Sequence, residues 1–135
     1  MAAVIAIGIA VMSLRESNAL RRIALKEAHL DSAERRLEAL RELAVLLHVF
    51  DEAAQNQRYK EAINSRETIR VLVKTHRFQA ELPSVQPVID ADLNSPLAAI
   101  NTALQAHAAI SDVHKLLDIE AEHVHRLSSS VRSGG

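Results

Sequence analysis

Between Gly8 and Pro83 the chain contains neither glycine nor proline. The two residues that most readily interrupt regular backbone are thus missing from more than half of its 135 residues. Ala, Leu, Glu and Arg dominate the stretch, and their side chains lose little freedom in a helix. A run of this kind can fold as little else, so the chain reads as all-α.

The apolar spacing organises that helix content. Ala19, Ile23, Leu30, Ala33, Leu37, Leu40, Ala44 and Leu47 recur at steps of three, four and once seven, with charged residues on the other face. This predicts a long amphipathic helix with coiled-coil-like spacing. Ser13 with Glu16 matches a capping box, marking a start or restart of helix. The apolar pattern lapses at Gln55, Asn56 and Gln57, which predicts a hairpin turn near 55–58. A second helix then buries Ala62, Ile63, Ile69, Leu72, Val73 and His76, and stops before Pro83, because proline disfavours helix in the residue ahead of it. Residues 83–95 form a connector in which Val85, Val88, Ile89 and Leu93 make a short docked turn. Ser95-Pro96 is a strong helix start, with Ser as N-cap and Pro in the first turn, and the last helix runs to about Leu127. Residues 132–135 read as a disordered tail.

Each of these helices has one apolar face to cover, and an antiparallel bundle over residues 15–131 is the simplest arrangement that covers them all. One domain is the default at this length, with roughly two thirds of the unfolded surface buried. With one Tyr, two Phe and no Trp, the expected core is Leu, Ile, Val and Ala. The segment Glu52 to Leu72, with Ala53-Ala54, Tyr59, Ala62-Ile63, Arg66 and Ile69, resembles the helical hairpins of tetratricopeptide and UVR-type interaction motifs. It lacks the glycine such turns often use, and no function is carried over from the likeness.

Composition closes several chemistries. Phosphate-cradling loops, dinucleotide fingerprints and nucleophile elbows all need glycine where backbone turns sharply or meets a ligand, and Gly8 is the only glycine before Gly134 and Gly135. Zero cysteine excludes disulfides, thiol nucleophiles, iron–sulfur clusters and Cys-based zinc sites. The formal net charge is −1, which argues against a nucleic-acid partner. Residues 15–82 carry 13 basic against 11 acidic groups and residues 83–135 carry 3 against 6, an asymmetry compatible with the two parts packing on each other.

Met1 to Leu14 has no charged side chain, and Arg15, Glu16, Arg21, Arg22 and Lys26 follow at once. As a helix the run is about 21 Å long, against a hydrocarbon core of roughly 30 Å. Thinning of the bilayer or snorkelling of Arg15 would accommodate the shortfall. The run lacks the basic leader and small-residue exit of a signal peptide. Two readings stay open: a single-pass membrane anchor, with the following cations holding the bundle on the cytoplasmic side, or a buried helix of a soluble cytoplasmic bundle or dimer seam.

Three side-chain patterns are candidates for chemistry. On the last helix the apolar seam Ala103, Ala106, Ile110, Val113, Leu117, Ala121, Val124, Leu127 and Val131 is flanked by His107, Ser111, His114, Asp118, Glu122 and His125 at helical steps. His114 and Asp118, one turn apart, are a chelating pair in principle, which makes His107, His114, Asp118 and His125 the candidate divalent-metal set. The competing reading is a polar flank between core and solvent. Glu120 with His123 and Glu122 with His125 match the E-x-x-H element of di-iron bundles, but both lie on one helix where those bundles use two. Arg66, Arg70, Lys74 and Arg77 form a basic stripe that suits lipid headgroups, an acidic partner, or simply solvent. Ser, His and Asp are present, but nothing in their spacing assembles a catalytic triad.

The expectation from sequence is a non-enzymatic, membrane-anchored helical protein that acts as a structural or interaction module. Its helix faces would meet a protein partner or a second copy. No cofactor, small-molecule substrate or nucleic acid is expected. The alternative is a soluble helical bundle holding a divalent metal on the last helix.

Overall fold

The computed structural model describes the backbone of residues 2–93 and 96–132, and the side chains of residues 17–93 and 101–132. Among these residues the chain is all-helical, without strands, and its helices pack against one another. The elements are α1 (Ala2–Gln55), α2 (Tyr59–His76), a 3-10 turn (Pro83–Val85), α3 (Gln86–Ile89) and α4 (Pro96–Arg132). The apolar side chains of Met1–Leu14, the Ser95 cap and the tail beyond Arg132 lie outside the described residues.

α1 passes through the Ser13–Glu16 capping box without a break. A capping box satisfies orphan N–H groups only where a helix begins; here the helix already runs on both sides, and no restart occurs. The chain divides into two compact units, Met1–Glu34 with Glu122–Gly135, and Arg35–Ala121. In the first, the described side chains from Ser17 to Glu34 are exposed, except half-buried Lys26 and Leu30 and buried Ala33. Ala19 and Ile23 therefore do not belong to the buried face that their spacing suggested.

The second unit holds the core. Leu40, Leu43, Leu47 and Phe50 of α1 are completely buried, together with Ala62 of α2, Val85 and Val88 of the connector, and Ala106, Ala109 and Val113 of α4. Ile69 and Val73 of α2 close the same cluster. Both phenylalanines, Phe50 and Phe78, are its largest fully buried side chains, so the core is not purely aliphatic. Their two rings are the largest apolar payloads available to this chain. On α2 Ile63 faces out and Leu72 and His76 are half-buried, while Ser65 takes a buried position. On α4 the seam is fully buried only at Ala106 and Val113, with Ile110 and Leu117 partly covered and Ala121 exposed.

Two helices end in the same way. Among the described residues, Gln57 and Arg77 are the non-glycine residues with positive φ, at 60° and 56°. At the first, the Arg58 N–H donates to the Ala53 carbonyl at 2.8 Å and the Gln57 N–H to Ala54 at 3.3 Å; at the second, the Phe78 N–H donates to the Val73 carbonyl at 3.0 Å. This is the Schellman closure, in which a left-handed residue folds the chain back onto the last turn. It also explains why α2 ends at His76 and not at Pro83. Stopping there turns Phe78 inward against Val73, and both are buried. A left-handed conformation costs a non-glycine residue roughly 1–2 kcal/mol, a cost outweighed by the apolar closure. Arg77→Gly should therefore raise stability by about 0.5–1 kcal/mol in urea denaturation without changing the helical circular dichroism.

Candidate functional site

The polar groups that meet across helices lie on the flank of the α1 and α4 residues that build the core. His48 follows buried Leu47, and His114 follows buried Val113. Their rings meet with Nε2 atoms 3.3 Å apart and centroids 5.6 Å apart. Nearby, His107 Nε2 lies 3.2 Å from an Asp51 carboxylate oxygen, with the Asp51 side chain 14% exposed. Core packing of Leu47, Phe50, Ala106 and Val113 sets the positions of all four polar residues.

Of the four residues assigned to a metal by spacing, His107, His114, Asp118 and His125 are all exposed. His107 and Asp118 are separated by about 16 Å along α4 at a rise of 1.5 Å per residue, too far to share one ion. His107 is instead engaged by Asp51, and His114 by His48. His125 belongs to the other unit. Among the described residues no group of three or more His, Asp or Glu side chains is arranged to hold a metal. The E-x-x-H glutamates are also engaged: Glu120 meets Arg36 at 3.4 Å, and Glu122 meets Arg126 at 2.5 Å.

Arg36 is a cross-link that residue spacing did not reveal. Its guanidinium pairs with Glu81, between α2 and the 3-10 turn, and with Glu120 of α4, and its carbon lies 5.1 Å above the Phe78 ring centroid. A planar guanidinium can serve both functions at once, using its edge for carboxylates and its face for the ring. The partners lie 45 and 84 residues away in sequence, so no local periodicity could have indicated them.

The basic stripe divides between structural and exposed residues. Arg66 donates to the Ala91 carbonyl at 2.6 Å, and Arg70 donates to the Ile89 carbonyl at 3.4 Å and to Glu67 at 3.0 Å. These cations satisfy carbonyls at and just beyond the end of α3, a place where positive charge is favoured. Lys74 and Arg77 remain exposed on that face. Beside it, Asp90, Asp92, Asn101, Thr102 and Gln105 line an open hollow of about 290 Å³. Its carboxylates are already engaged: Asp90 accepts from Gln86 Nε2 at 2.9 Å, and Asp92 is also partnered.

Comparison with known proteins adds no relative: no family model, curated protein or solved structure matches the chain.

The Arg36 network sits where solvent is partly excluded, with Arg36 29% and Glu120 16% exposed. Arg41, paired with Glu38 at 3.8 Å, is 61% exposed. Arg36→Ala should therefore cost about 1–3 kcal/mol, through the lost ion pairs and the uncovered Phe78 ring, whereas Arg41→Ala should change stability by less than about 0.5 kcal/mol. Paired urea titrations of the two variants measure the difference.

Proposed function

We propose that the chain is a non-catalytic helical interaction module held at a membrane surface through Met1 to Leu14. The observation carrying this reading is the surface that follows the apolar run. In the same uninterrupted helix, Leu20 is 67%, Ile23 41% and Leu25 60% exposed, among Arg21, Arg22 and Lys26. Large apolar side chains left open beside cations match what a headgroup region accepts, because the apolar groups leave water while the cations meet anionic lipid. Among the described residues no helix is long and apolar enough to cross a membrane, so a single-pass anchor would depend on the first fourteen residues, whose side chains are not described.

An antiparallel bundle is the architecture proposed for the second unit. Three α1–α4 contacts support it, Arg36 with Glu120, His48 with His114 and Asp51 with His107, since one number rises as the other falls. Partner binding or self-association would then use outward apolar groups such as Val45 and Val49 of α1, 62% and 42% exposed.

Fractionation of the full chain tests the tether. Wild-type protein should sediment with membranes and need detergent for release, and the double variant Ile5→Lys, Ile7→Lys should move to the supernatant. Wild-type protein found in the supernatant without detergent would overturn the tether and leave the soluble module reading.

A further inference from the structure

We propose that His48 and His114 form a two-histidine clamp for a borderline divalent transition metal, Zn²⁺, Ni²⁺ or Cu²⁺, joining α1 to α4. Imidazole nitrogens bind Zn²⁺ at about 2.0–2.1 Å, so two of them on one tetrahedral ion stand about 3.3–3.4 Å apart. The two Nε2 atoms are 3.3 Å apart. An ion at bonding distance from both would subtend an angle of about 107°, close to tetrahedral.

The backbone is already placed for this. Leu47 and Val113, the residues just before the two histidines, are completely buried, and Phe50 anchors the next turn of α1. The Asp51–His107 contact at 3.2 Å joins the same two helices independently. Ligation therefore needs no helix movement. The rings themselves must move a little. With centroids 5.6 Å apart they face nearly end to end, as in an N–H···N hydrogen bond. Binding requires the donor ring to carry its proton on Nδ1, which frees both Nε2 lone pairs for the ion, and it tips each ring toward the ion. Both histidines are exposed, which leaves room for that rotation and for the ion to enter from solvent.

Ligand number and type define the class of ion. Two imidazoles favour Zn²⁺, Ni²⁺ and Cu²⁺ over Mg²⁺ and Ca²⁺, which prefer oxygen. No third described side chain completes the sphere, so water takes the remaining positions, with Asp118 following one helical turn after His114 on α4. The ligands lie 66 residues apart. An ion held by both therefore binds the folded chain in preference to the unfolded one and stabilises it by mass action. The clamp does not depend on the membrane reading, because its residues lie in the second unit.

The test uses the full chain, in detergent if fractionation requires it, with NiCl₂ and ZnCl₂ as probes. Calorimetric titration should give one ion per chain, and excess metal should raise Tm by at least about 4 °C. His48→Gln and His114→Gln should each abolish the shift, while His107→Gln and His125→Gln should keep it. No shift in the wild type, an undiminished shift in the first two variants, or loss of the shift in the second two would overturn the clamp. Imidazole NMR of the wild type provides a readout that does not depend on variant folding. Substoichiometric Cu²⁺ should broaden His48 and His114 first, and broadening that begins at other histidines counts against the proposal.

Discussion

The core-bearing unit depends on one stripe of α1, Leu40, Leu43, Leu47 and Phe50, from which water is completely excluded. Burying a side chain of this size is worth roughly 1.5–3 kcal/mol, and each of these residues packs into the same cluster as residues of α2, the connector and α4. The connector contributes more to that cluster than its length suggests. Val85, Val88, Ile89, Ala91 and Leu93 are all buried, as are Phe78 and Leu82 just ahead of them, so a short segment with little regular structure takes the place of a further long helix. α4 meets the core through small residues, Ala106 and Ala109 with Val113, which lets its backbone come close.

That close approach accounts for the polar contacts. Once Leu47 and Val113 are buried, their neighbours His48 and His114 stand at the border of the core and must meet. Arg36 acts similarly at the other side of the cluster, covering the Phe78 ring and pairing with Glu81 and Glu120. Arg66 and Arg70 tie α2 to the carbonyls at the end of α3. Charged residues that look like a solvated face or a ligand-binding stripe in sequence are here partly spent on holding the connector in place. Less of the chain's charge is left free for a partner than a count of cations implies.

The turns show what was hard to read and why. Glycine is the usual sign of a left-handed helix end, and neither Gln57 nor Arg77 gives that signal. Proline is the only local sign of termination and points to an end before Pro83; the end at His76 comes from Phe78 turning inward, a tertiary gain that outweighs a local backbone cost. The candidate metal set rests on the same kind of local signal. Helical spacing shows which residues share a flank of α4 but carries no information about the facing helix, and His48, the residue that meets His114, lies 66 positions away.

Sequence alone determined that the chain is helical, because a long stretch without glycine or proline and rich in helix formers leaves the backbone few alternatives. It also determined the missing chemistries, since no fold supplies absent cysteines or glycine loops. Tertiary structure decided which apolar positions became core, where α2 stopped, and which charged and imidazole groups were brought together. Those outcomes depend on burial and on pairing between residues far apart in the chain, and both exist only after the helices have packed.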